Sequence, residues 1–198
     1  MVQIEYHPLK PFLPSTAKVL MLGSFPPPRN RWSIDFYYPN FQNDMWRVMG
    51  LVFYADKNHF VLEGERKFDY TSVIDFCTTV GIAIFDTASA VRRLKNNASD
   101  KYLEIAQPTD LAALLSQIHD CHTIVTTGEK ATDAVVERYG CEKPKVGTFS
   151  QLAITGRGCR FYRMPSTSRA YPLALDKKAA VYRSLFEQLG MIDIQKSR

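Results

Sequence analysis

Four short apolar segments, each closing on a loop signal, limit this chain's fold more than any other feature. They are residues 18–23 (KVLMLG), 81–86 (GIAIFD), 122–128 (HTIVTTG) and 160–164 (RFYRM). Each is too short for a core helix and rich in β-branched or aromatic side chains, the pattern of a strand buried on both faces. Ser24-Phe25 with Pro26, Pro27 and Pro28 follows the first, and Asp86-Thr87 the second. Gly128-Glu129 follows the third, and Pro165-Ser166-Thr167-Ser168 the fourth.

Helical periodicity fills the intervals. Residues 43–54 carry Met45, Trp46, Met49 and Val52 or Phe53 at steps of three to four, which places Met45 and Trp46 in the core. Thr109-Asp110 caps a run with Leu111, Leu114, Leu115 and Ile118 on one face. Residues 131–139 and 173–189 read likewise, the second through Ala180, Leu185, Phe186 and Leu189. Strands alternating with helices predict an α/β fold, a three-layer α/β/α sandwich around a central four-stranded parallel sheet. Ligands of such sheets sit at the carboxyl ends of the strands. The four loops therefore share one rim.

With 198 residues the chain fits one domain, 1–198. Its apolar runs are too short to span a bilayer, so no membrane partner is expected. The start, Met1-Val2-Gln3-Ile4-Glu5, lacks the basic and apolar regions of a signal peptide, and a cytoplasmic, monomeric protein is the expectation. Cys77, Cys121, Cys141 and Cys159 form no Cys-x-x-Cys pair, which favours reduced, mostly buried thiols. His119 and His122 flank Cys121, but three ligands within four residues make a poor metal geometry, so no metal and no cofactor is expected. The net charge of +5 suits an acidic partner such as nucleic acid. The positive residues are scattered, with local density at Arg92-Arg93 with Lys95, at Lys177-Lys178 and over 157–169. Lys177 and Lys178 open the last helix and are expected to face solvent.

Three segments carry residues suited to chemistry. Gly23-Ser24-Phe25-Pro26-Pro27-Pro28 is a stiff loop in which Gly23 permits close backbone approach. Its prolines lack the N–H groups that a phosphate-cradling Gly-rich loop needs. In Phe36-Tyr37-Tyr38-Pro39-Asn40-Phe41-Gln42-Asn43, rings stand beside amides, as a nucleobase pocket requires. Asn43 sits at a helix start, where its amide can cap or act. In Ser166-Thr167-Ser168-Arg169-Ala170-Tyr171, three hydroxyls exceed what one helix cap uses, and Arg169 and Tyr171 can enter a groove.

A G-S-x-P loop after the first strand, then Y-Y-x-x-x-x-N-x-[FM]-W, then P-S-T-S before the final helix, resembles the uracil-DNA glycosylase superfamily. Its hypoxanthine-DNA branch is the most similar. The 81–86 strand and Ala98-Ser99-Asp100 also match that pattern, and the likeness runs from about Lys18 to Leu189. The resemblance implies a uracil-DNA glycosylase-like fold and excision of a deaminated base, hypoxanthine or uracil, from single- or double-stranded DNA. By the same likeness Gly23, Ser24, Phe25 and Pro26 line the base pocket, Tyr38 stacks on the extruded base and Asn43 serves catalysis. Ser166, Thr167 and Ser168 grip phosphate, with Arg169, Ala170 and Tyr171 as the groove-entering tip. One departure is Ser24, which stands where mismatch-specific relatives carry a catalytic asparagine. Catalysis then falls to Asn43, with Asp35 as an alternative water-activating carboxylate. A silent DNA- or nucleotide-binding relative and a nucleoside hydrolase are the competing readings.

Overall fold

The structure is a computed structural model that describes residues 3–94 and 102–192. The 98–100 segment of the resemblance lies outside the described residues.

The four predicted strands form as β2 (Val19–Gly23), β3 (Ile82–Asp86), β6 (Thr123–Thr127) and β8 (Arg157–Met164). Side by side in the order β3-β2-β6-β8, they are all parallel. Every residue of β2 and β3 is buried, so both sheet faces are covered, as a three-layer arrangement requires. An antiparallel fifth strand, β7 (Thr148–Ile154), borders β8. The two-residue turn Thr155-Gly156 joins them with positive φ at both positions, a twist that suits a tight hairpin.

The flanking helices are α1 (Met45–Tyr54), α2 (Tyr70–Val80), α3 (Leu111–Leu115), α4 (Glu129–Tyr139) and α5 (Leu175–Gln188). Asp69 and Asp110 cap α2 and α3 by accepting hydrogen bonds from first-turn N–H groups. Trp46 and Met45 are each 1% exposed and belong to the core. On α5 the inward face differs from expectation. Stepping back by three or four from Leu185 and Phe186 reaches Tyr182, then Lys178 and Ala179, and these are the buried positions. Ala180 is exposed. Lys177 faces solvent as anticipated, but Lys178 is 1% exposed and does not.

A second sheet lay beyond the periodicity argument. It is antiparallel, in the order β1 (Ile4–Tyr6), β4 (Ala88–Arg93), β5 (Leu103–Pro108). The chain leaves β3 at Asp86, spends one residue on Thr87 and enters this sheet as β4. Arg93 binds Glu5 and the Pro26 carbonyl, tying the proline-rich loop to the small sheet. No helix among the described residues is long and apolar enough to cross a membrane.

Candidate functional site

The carboxyl ends of the four parallel strands surround one cavity of about 550 Å³. Gly23 of β2, Asp86 of β3, Thr127 of β6 and Ser166 just beyond β8 line it together. Ser24, Phe25 and Pro26 enter from the first loop, Tyr38 and Asn43 from the aromatic segment, and Thr167, Ser168, Arg169 and Ala170 from the last loop. The shared rim thus brings most of the singled-out residues to one place. Of the residues given a site role, two are not among its lining. Asp35 is 71% exposed and paired with Arg29, and Tyr171 lies further along the chain.

Tyr38 occupies the left-handed backbone region at φ 50, an uncommon conformation for a residue with a side chain. Its hydroxyl shares a hydrogen bond of 2.9 Å with Thr127 Oγ1, which also reaches the Leu22 carbonyl. Edge-on packing against Trp46, at 6.3 Å between ring centroids, holds the ring. Burial, and then the negative charge of Asp86, push its phenol well above the ordinary value, so it stays protonated.

Asn43 is half-buried at the amino end of α1. Its Oδ1 accepts from the Met45 N–H at 2.9 Å, so that oxygen caps the helix. Its Nδ2 has no partner among the described residues and belongs to a side chain that lines the cavity. The amide therefore offers a donor to any occupant.

The last loop is built from its own hydroxyls. Ser166 Oγ accepts from the Ser168 N–H and Ser168 Oγ from the Ala170 N–H, each at 3.2 Å. Each hydroxyl keeps its own hydrogen to donate outward. Asp44 joins this loop to α1. It accepts from Arg169 Nε and Lys178 Nζ, each at 3.0 Å, while its N–H donates to the Thr167 carbonyl.

Sequence reasoning passed over Asp86, which is 6% exposed and lines the cavity. The signal was present, since it ends a parallel strand at the rim where ligands sit. Thr127 carried the same signal. Lys178 carried a weaker one, because helical spacing puts it in line with Tyr182.

No protein-family model and no curated protein matches this chain. Among solved structures, the chain is similar to the solution NMR structure of a protein from Methanosarcina acetivorans provisionally named a uracil DNA glycosylase. The TM-score is 0.63 at 17% identity, over 95% of this chain and 99% of that one. The likeness bears out the expected fold.

Proposed function

We propose that the chain is a monofunctional DNA glycosylase that hydrolyses the N-glycosidic bond of an extruded deaminated base, hypoxanthine or uracil, leaving an abasic site. The observation that carries this reading is the meeting of Gly23–Pro26, Tyr38, Asn43 and Ser166–Ala170 around one cavity. Its volume of about 550 Å³ is in the range of small-molecule pockets and accommodates a purine or a pyrimidine. The fold shared with a provisionally named uracil DNA glycosylase supports the same reading.

Each residue has a role in the reaction. The damaged nucleotide leaves the stack at a cost of a few kcal/mol, which is lowest at a mispair. Tyr38 offers its ring to the extruded base. Hydroxyls of Ser166, Thr167 and Ser168 donate to the flanking phosphate, with Arg169 and Tyr171 towards the groove. As the sugar becomes an oxocarbenium ion, the base departs as an anion and Asn43 Nδ2 donates a hydrogen bond to it; water then adds to C1′, and the proton it releases balances the charge of the departed base. A preorganised donor of this kind contributes about 10²–10³ in rate. Asp35, exposed and paired with Arg29, is given no part. Among the described residues no lysine lines the cavity, which supports an intact strand with an abasic site as the product rather than a Schiff-base cleavage product.

Duplexes with a single uracil, hypoxanthine or xanthine test the proposal. Alkali-labile sites formed by wild type and lost in Asn43→Ala are expected. Binding without product, or cleavage of free nucleosides alone, would refute it.

A further inference from the structure

Arg47 is 8% exposed and pairs with no carboxylate among the described residues. Its Nη1 donates to the Phe41 carbonyl at 2.8 Å and lies 3.5 Å from the Asn43 carbonyl. Nε and Nη2 have no hydrogen-bond partner among those residues. The guanidinium carbon stands 4.3 Å from the centre of the Phe41 ring and 5.2 Å from that of Phe68, so two aromatic groups fix it. Burial, and then the like charge of Arg169, work against its protonation by more than Asp44 favours it. A buried cation so placed lacks a counter-ion.

This side chain borders a second cavity, of about 640 Å³, together with Asp44, Lys57, Asn58, Arg169 and Lys178. Four cations face a single carboxylate there, and that carboxylate is already held by Arg169 Nε and Lys178 Nζ. Lys57 is exposed and pairs with no acid among the described residues. The turn after α1 brings it to the rim. The Asp56 N–H donates to the Gly50 carbonyl at 3.2 Å, and an added Cβ at Gly50 would collide with the Asp56 carbonyl oxygen. The absence of a side chain at position 50 is what lets the chain fold back here. Arg169 lines this cavity and the first alike, so the two adjoin at the last loop.

A surplus of positive charge fits an anion, and the Nε–Nη2 edge of a guanidinium matches two oxygens of a phosphate. DNA presents such oxygens at every step along its strand. We infer that the second cavity is a phosphate site, separate from the base cavity, in which Arg47 and Lys57 bind a backbone phosphate of the DNA strand beyond the one flanking the extruded nucleotide. The inference rests on the glycosylase reading above. The contact reads no base. It lengthens the footprint and fixes the strand's register over Asn43, which stands four residues before Arg47.

A methylphosphonate scan tests this. Duplexes with an uncleavable tetrahydrofuran abasic-site analogue carry one neutral methylphosphonate at successive positions along the lesion strand. Dissociation constants are measured for wild type, Arg47→Met and Lys57→Ala. Arg47→Met keeps a straight side chain against the two rings, and Lys57→Ala changes an exposed position. In wild type, one substitution outside the phosphates flanking the lesion should weaken binding about 10-fold, as loss of a charge-assisted contact does. The same position should cost Arg47→Met less than about threefold, and Lys57→Ala an intermediate amount. The slope of log K against log salt should fall by about 1 in each variant. Since each comparison is internal to one variant, partial loss of folding does not mimic the effect. Calorimetry with inorganic phosphate separates a strand phosphate from a free one. Phosphate binding that Arg47→Met abolishes, with scans alike in all three proteins, assigns the cavity to a free anion and overturns the inference. Scans alike without phosphate binding overturn it as well. In both cases release of uracil or hypoxanthine by wild type leaves the glycosylase standing, and release of neither overturns both.

Discussion

Lys178 Nζ lies 3.0 Å from Asp44 Oδ2, and both side chains are buried although they are 134 positions apart in sequence. The same ammonium donates to the Ser168 carbonyl at 2.9 Å, and the other Asp44 oxygen holds Arg169. The start of α1, which carries Asn43, is thereby locked in register with the loop that carries Thr167. The glycosylase reading needs these two segments at a fixed separation.

Lys178→Ala leaves the buried Asp44 carboxylate with the half-exposed Arg169 as its remaining cation. It is expected to lower stability by about 3 kcal/mol, the low end for breaking a buried pair, and Asp44→Asn with Lys178→Met to recover most of the loss. Urea unfolding measures both. A single variant as stable as wild type would show that the buried pair holds nothing together.

Tyr38 combines a ring contact with an unusual backbone. Tyr38→Phe loses only the Thr127 bond and should cost about 1 kcal/mol of stability while keeping base release within a few-fold. Tyr38→Ala loses the stacking face, worth about 1–3 kcal/mol towards a base, and should weaken binding of lesion-containing DNA accordingly. Tyr38→Gly loses the same face but relieves the positive φ. It should be more stable than the alanine variant by about 1 kcal/mol and no more active. An alanine variant with wild-type affinity would remove Tyr38 from the pocket's function.

Alkali should destabilise the fold. Burial pushes the Cys121 thiol up to about 11 and moves Cys77 further in the same direction, and it raises Tyr37, Tyr38 and Tyr182 as well. Above pH 9 the unfolded chain's thiols ionise while the folded ones stay protonated, so the native state holds more protons. Stability is then complete below pH 9 and falls as pH rises, by about 1.4 kcal/mol per pH unit for each such group. Urea midpoints should stay level up to pH 9 and fall from there to 11. A profile still level at pH 11 would mean that the thiols ionise equally in both states.

The parallel core was legible because its strands are continuous apolar runs, and burial on both faces permits little else. The small sheet was not, since β1 and β5 are half-exposed and their pairing depends on contacts with β4 across more than 80 residues in the case of β1. The cavity was legible in outline because the carboxyl-edge rule needs only strand order and loop chemistry. That rule also pointed at Asp86, but nothing in the sequence ties it to its hydrogen-bond partner His7, because a histidine 79 residues away shows no periodic relation. Lys178 was misplaced by its charge. Lysine is rarely buried unless paired, and its partner Asp44 belongs to another segment.

Asn43 has two duties that one pair of substitutions can separate. Its Oδ1 caps α1 through the Met45 N–H, while its Nδ2 is the group available to the cavity. Asn43→Ala removes both and should cost about 1 kcal/mol of stability, together with about 10²–10³ in the rate of base release. Asn43→Asp retains an oxygen for the cap, and its negative charge is favourable at a helix amino terminus, so stability should hold. The aspartate has no N–H to donate to a departing base and sets a carboxylate beside growing negative charge. Its rate should therefore fall at least as far as that of alanine. Urea unfolding and single-turnover release measure the two effects independently. An aspartate variant that keeps the wild-type rate would show that Nδ2 is not the working group, and the mechanism proposed for this cavity would fail at its first step.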